Sequence, residues 1–271
     1  MPEIGAPSPS PSGFVPTGPE RRVEFIDSAS IAGAPVAYVI VLAAVVAVLS
    51  FIPFSIVLSG GSSFPMAQGV YPLTGWLLGP WAGAVASGTG ALVGAFLAPH
   101  TAGLVWLSVG GAMLAALCAG CLAPGRRHWR LGLLLSVVAL AAPVFYGDHA
   151  VNANGVSLRA YLFAYPTHFL AIALFVLPTR RWIGALVSGA NLGRGAVGLF
   201  LGTWSAAGVM MMTESAISYY LFNWPGELFY FFAGVVPVEH AIRSGIGMVV
   251  GSGVIAGLRA MALVKPRGAV Y

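Results

Sequence analysis

The chain has 271 residues, 58% of them apolar and only 8% charged, and its mean hydropathy of +0.87 excludes an ordinary soluble domain. The formal charge of +5 does not point to nucleic acid, because the basic residues flank long apolar runs instead of sharing one soluble face. Membrane topology and anionic lipid account for them. Two cysteines, Cys118 and Cys121, lie within one apolar run without further thiols to complete a metal site, so they read as packing residues and no disulfide framework is indicated.

The first 20 residues repeat Pro, Ser and Gly with almost no aliphatic content, which predicts a disordered tail over residues 1–30. Arg21 and Arg22 follow that tail, whereas a signal peptide would put its basic residues first, so the tail is expected to be retained. A helical membrane domain is expected over 31–264 and a short cytoplasmic tail over 265–271. From Pro35 onward, apolar stretches of about 17–25 residues recur, the length that crosses roughly 30 Å of hydrocarbon as a helix. The run from Ala43 to Leu49 is apolar all round, which argues against the alternation of a β-barrel.

Eight helices are predicted, at Pro35–Leu58, Pro65–Leu78, Pro80–Ala98, Gly103–Leu122, Leu131–Tyr146, Ala160–Leu177, Ala196–Phe222 and His240–Leu263, with Leu228–Val236 as a short re-entrant or interfacial element. Gly60-Gly61, Gly79-Pro80, Pro99, Pro124-Gly125 and Pro225-Gly226 punctuate the joins. The fold class is therefore an all-α polytopic membrane bundle of six to eight transmembrane helices. If each of the eight crosses, Arg21, Arg22, Arg126, Arg127, Arg130, Arg180, Arg181, Arg194, Arg259, Lys265 and Arg267 share one side, which the positive-inside rule makes the cytoplasm. The expected location is the inner, cytoplasmic membrane of a cell, with both termini cytoplasmic. Asp148, Arg159, Glu227 and Glu239, with His100, His149 and His240, then fall on the outer face.

Residues 62–98 are the most informative. Pro65–Leu78 is about 14 residues, too short to span comfortably, so it is expected to be tilted or broken, as short Gly/Pro-interrupted segments at binding sites are. Gly79, Gly83, Gly90 and Gly94 form small-xxx-small pairs that let helices approach closely. The run from Phe64 to Gly94, centred on Leu77-Leu78-Gly79-Pro80-Trp81-Ala82-Gly83, together with Val41–Phe54 and the Gly/Ser-rich stretch after it, resembles the substrate-binding S components of energy-coupling-factor vitamin transporters. That resemblance implies a small helical membrane protein that binds a vitamin-like metabolite from outside and docks on a membrane coupling subunit with two ATPases. It also implies that an Ala-x-x-x-Ala pair on the first helix, here Ala43 and Ala47, faces the coupling subunit; ordinary internal packing explains the same spacing. The family has six helices against eight counted here, and the region from Arg126 to Leu228 lies outside the resemblance. Metal-transporting relatives carry a His after the initiator Met, where this chain has Pro2, so nickel or cobalt transport is not expected.

No G-x-x-x-x-G-K-[ST], G-x-S-x-G or H-E-x-x-H occurs, so neither a cofactor, a metal nor catalytic residues are assigned, and any ATP is hydrolysed by other subunits. The pairs Asp148-His149 and Glu239-His240 suggest a membrane enzyme as an alternative, and association with a larger membrane complex as an accessory subunit is a third reading. Adjacent residues on a helix point apart, which favours polar helix ends. His168 reads as a hydrogen-bonded core residue or as cavity lining. The predicted substrate site lies in an outer cavity, with Arg243 and Glu214 orienting the ligand and Gln68 and Trp76 contributing from the short second helix. Glu239 is placed to pair with Arg243 one turn on, and Tyr219, Trp224 and Tyr230 are expected to supply aromatic surface.

Overall fold

Backbone polar groups that water does not reach must bond to one another, and in so apolar a chain the α-helix achieves this within each segment. The computed structural model describes residues 29–54, 63–123, 128–261 and 265–271. Among them the chain is all-α, apart from a small hairpin in which β1 (Ser30–Ile31) pairs antiparallel with β2 (Ala34–Pro35). The helices are α1 (Val36–Leu49), α2 (Tyr71–Leu78), α3 (Pro80–Leu97), α4 (Val105–Cys121), α5 (Trp129–Asp148), α6 (Leu158–Ala164), α7 (Pro166–Val176), α8 (Thr179–Ser188), α9 (Leu192–Phe222) and α10 (Glu227–Ala260). By length and composition α3, α9, α10 and α5 with its π-helical extension to Ala153 can each cross a membrane, and a fifth span arises if α6 and α7, bent by 66° at Tyr165-Pro166, count as one. α1 and α4 are shorter apolar helices.

The bundle is apolar outside as well as inside. Val41 and Val48 of α1, Phe96 of α3, Leu134 and Val144 of α5, and Val238 and Val249 of α10 are all largely exposed. Such a continuous apolar exterior is what lipid, not water, solvates.

The interior is organised by α2, whose eight residues are all buried. A 3-10 turn, Met66–Gly69, precedes it, so the short second segment is broken as expected. Glycines let its neighbours close in: a Cβ at Gly75 would lie 2.1 Å from Ala116 O of α4, and one at Gly83 of α3 would lie 2.7 Å from the Gly75 backbone. The hairpin between α2 and α3 turns at Gly79, whose φ of +85° favours glycine, and Pro80 starts α3 where a missing N–H costs nothing. Thr74 Oγ1 bridges the pair, 2.9 Å from Tyr71 O, 3.0 Å from Gly83 O and 2.8 Å from Ser87 Oγ. Gly90 and Gly94 of α3 receive α1, meeting Ala43 O, Val46 and Ser50.

Two ends can be told apart. At one, Gly79 packs on Gly268, Gly33 on Arg267, and Val270 N donates to Trp76 O at 2.8 Å. Arg130, Arg180, Arg194 and Arg259 belong to this basic end, where Arg259 Nη2 donates to Val187 O. At the other, Thr101 Oγ1 donates to Ser50 O, His149 Nε2 bonds Asn223 Oδ1, and Arg243 reaches Gln68.

Several expectations are corrected. α1 stops at Leu49, and the chain turns at Ser50–Ile52 before Pro53, which cannot extend a helix. α10 runs unbroken for 34 residues through Pro237, so Leu228–Val236 is its first part and not a separate re-entrant element. α8 is a helix not anticipated; Ile183, Gly184 and Val187 are buried while Arg181 and Trp182 are exposed, the pattern of a helix lying along an interface. Residues 265–271, expected as a short tail, pack on the bundle: Val270 and Tyr271 are buried and Lys265 Nζ donates to Tyr271 O. The expectations for the N-terminal tail, Arg21, Arg22, Gly60-Gly61, the remainder of the Gly/Ser-rich loop, Pro124-Gly125, Arg126 and Arg127 lie outside the described residues.

The tight crossing at Gly75 has a measurable consequence. Gly75→Ala is expected to lower stability by about 1–3 kcal/mol through overpacking against Ala116 O. Gly110→Ala in α4, where nothing lies within 4 Å, is expected to be neutral or stabilising. Thermal unfolding of the detergent-solubilised protein checks both; equal effects would mean that close approach at α2 does not govern stability.

Candidate functional site

An arginine within an apolar helix must find its hydrogen-bond partners in the protein. Arg243 of α10 is 1% exposed, and its neighbours at positions 239 and 240, Glu239 and His240, are buried too. Arg243 Nε donates to Gln68 Oε1 at 3.0 Å, and Nη1 donates to His240 Nδ1 at 3.3 Å. His240 Nε2 donates in turn to Trp204 O of α9 at 2.8 Å. A ring that accepts at Nδ1 and donates at Nε2 is the neutral tautomer, as these partners assign it. Gly208 leaves room for it, since a Cβ there would lie 3.3 Å from His240 Nε2.

The guanidinium also lies over two rings, 5.4 Å from the centroid of Phe54 and 5.5 Å from that of Phe64. These stacked phenylalanines flank an antiparallel clasp in which Phe54 N donates to Phe64 O at 3.0 Å and Met66 N to Ile52 O at 2.7 Å. Arg243 thus ties α10 to the 3-10 turn before α2 and to the base of the connection from α1.

In front of this cluster is a cavity of about 380 Å³, within the range of small-molecule sites. Its polar wall includes Gln68, His168, Glu214 and Glu239, and its apolar wall includes Phe64, Tyr165, Met211, Phe222, Trp224 and Phe232. The segment from Thr101 to Ser108, with Ser108 Oγ donating to Ala102 O, forms another side. Glu214 is seated opposite Gly111 of α4, where a Cβ would fall 1.6 Å from Glu214 Oε1. Its carboxylate faces the cavity, and neither ring nitrogen of the buried His168 has a hydrogen-bond partner among the described residues.

Of the residues singled out in the sequence, Gln68 and Glu214 line the cavity. Arg243 does not; it stands behind Gln68 and holds it. Trp76 is corrected: α2 runs away from the cavity at about 1.5 Å per residue, and Trp76 instead packs its ring against Gly202 of α9. Ala43 and Ala47 are buried with Gly90 and Gly94 of α3 opposite, so that face is occupied within the chain and is not open to a coupling subunit. Trp224 is at the cavity, Tyr219 is buried beside it, and Tyr230 is 56% exposed and points away. His168 is cavity lining and makes no hydrogen bond among the described residues. Asp148 and His149 diverge, the first accepting from Asn152 and the second bonded to Asn223 and stacked on Tyr220. Among the described residues no three His, Cys, Asp or Glu side chains come together as a metal site.

The sequence reading missed Tyr165, Met211, Ser215 and the Thr101–Ser108 wall. A signal existed only for Tyr165, which precedes Pro166 at the bend between α6 and α7. No protein-family model, curated protein or solved structure matches the chain.

The buried pair gives a direct test. Gln68→Leu leaves Arg243 Nε without its acceptor and is expected to cost about 1–3 kcal/mol, while Gln68→Leu combined with Arg243→Met is expected to cost clearly less than the two single losses added together. Additive losses in detergent unfolding would mean that the two side chains are not coupled.

Proposed function

We propose that this chain is a multi-pass membrane protein that captures a small molecule in the cavity between α4, α7, α9 and α10, as the substrate-binding subunit of an uptake transporter. The observation that carries the reading is the concentration of costly groups, Glu214, Glu239, His168, His240 and Arg243, around one cavity of ligand size in an otherwise apolar bundle. Charged residues inside membrane helices mark ligand or ion pathways far more often than they stabilise the fold.

On this reading the eight segments α1, α2, α3, α4, α5, α6 with α7, α9 and α10 alternate in direction between the two ends. The basic end is cytoplasmic by the positive-inside rule, both termini lie there, and the cavity opens outward. Short α1 and α2 then traverse the layer as broken elements shielded by longer neighbours, which is how irregular backbone is tolerated at membrane depth. The absence of a nucleotide-binding motif in the sequence leaves energy to separate ATPase subunits and a membrane coupling subunit. The vitamin-like class of substrate follows from the resemblance of Phe64–Gly94 to S components.

Native mass spectrometry of gently solubilised protein is expected to find a retained small molecule, and Ser215→Phe, which fills the cavity, is expected to remove it without loss of folding. Identical spectra for both proteins would refute capture in this cavity. The topology is checked separately in a background with Cys118 and Cys121 replaced by Ala. A cysteine at Asn152 should react with an impermeant reagent in intact cells and one at Trp182 should not; the opposite pattern would invert the orientation.

A further inference from the structure

We propose that the cavity takes a small organic monocation with a flat aromatic body, its charge facing the Glu214 carboxylate. This narrows the ligand-capturing reading above to a substrate class and rests on it.

The first reason is the distribution of charge. Among the described residues the cavity wall carries two carboxyl groups, Glu214 and Glu239, and no Lys or Arg. The nearby guanidinium of Arg243 is not part of that wall: it is 1% exposed, its Nε and Nη1 serve Gln68 and His240, it lies over Phe54 and Phe64, and Nη2 alone has no hydrogen-bond partner among the described residues. His240 adds no charge, being neutral by its partners. One guanidinium stands beside two carboxyl groups, so a cation in the cavity would supply the counter-charge that an ionised Glu214, which faces the cavity, otherwise lacks. An anion entering here would meet two carboxyl groups on the wall, with the single guanidinium held behind Gln68, so the site disfavours it.

The second reason is independent of charge. His168 is 2% exposed and lines the cavity, with both ring nitrogens lacking partners among the described residues. A buried imidazole left so is costly unless something in the cavity bonds it. A ligand bearing an N–H or a carbonyl supplies that bond.

The third is the remaining surface. Tyr165, Phe222, Trp224 and Phe232 line the cavity, with Phe222 and Trp224 stacked at 15° and Trp224 edge-on to Phe232. Aromatic faces attract desolvated cations and pack flat rings. Gly111 is part of the design, because only a residue without a side chain admits Glu214 at its position.

The test uses the full chain in detergent and three aromatic probes of similar size: benzyltrimethylammonium, benzyl alcohol and benzoate, titrated calorimetrically. The cation is expected to bind most tightly. Glu214→Gln should weaken it about tenfold or more, and Gly111→Ala, which keeps the carboxylate but displaces it, should weaken it as well, with folding of each variant verified by thermal unfolding. Benzoate or benzyl alcohol binding as tightly as the cation, or an unchanged affinity in Glu214→Gln, would overturn the cationic class while leaving capture in the cavity standing. Binding of none of the three would overturn both readings, and binding that survives Ser215→Phe would place the probe elsewhere and do the same.

Discussion

Arg243 in the middle of an apolar helix is the constraint from which much of this structure follows. A guanidinium out of water needs several acceptors within reach, and α10 by itself offers only Glu239 and His240 on the appropriate turn. The remainder comes from a segment 175 residues away in sequence, where Gln68 presents its carbonyl oxygen. For Gln68 to do so, the chain before α2 must be a tight 3-10 turn and α2 must begin beneath it, deep in the bundle. Gly69 permits the approach, since a Cβ there would lie 2.8 Å from Arg243 O.

That placement explains why α2 is short and wholly buried. Eight residues rise about 12 Å, so the hairpin at Gly79 sits inside the basic end and other chain must cover it. The C-terminal residues do this: Val270 N takes the carbonyl of Trp76, and Gly268 packs on Gly79. The short C-terminal tail is recruited because the hairpin leaves a backbone acceptor and an apolar surface to be satisfied.

The helical class was legible because lipid-facing helices are apolar all round, and the Gly79-Pro80 hairpin because positive φ and a missing N–H leave few residue choices. Gln68 and Glu214 could be named because polar groups in apolar runs need a reason. Arg243 could be singled out on the same ground, but not its turning toward Gln68, which depends on a contact between distant segments. Trp76 was misplaced because the direction of α2 relative to the cavity is a tertiary fact. Ala43 and Ala47 illustrate a different limit: small residues four apart fit any close helix crossing, and here Gly90 and Gly94 take up that face. α10 runs through Pro237 as one helix, although Leu228–Val236 and His240–Leu263 are separate elements in the sequence reading, because a long helix tolerates proline where neighbours satisfy the freed carbonyl.

His240 connects the site to the rest of the bundle. Its neutral ring accepts from Arg243 on one side and donates to the Trp204 carbonyl on the other, so Gln68, α10 and α9 form one chain of hydrogen bonds. His168 stands 5.5 Å from the same ring, centroid to centroid, and is the cavity-facing imidazole of the two. The cluster therefore has a hydrogen-bonded inner layer, Gln68, Arg243 and His240, and a cavity-facing outer layer of His168 and Glu214. Rigid polar groups behind and cavity-facing ones in front are what a preorganised receptor requires, because the ligand then completes hydrogen bonds without first breaking any. A cluster serving stability alone would gain by closing its last partners internally, and Glu214, held in the clearance that Gly111 leaves, is open to the cavity instead.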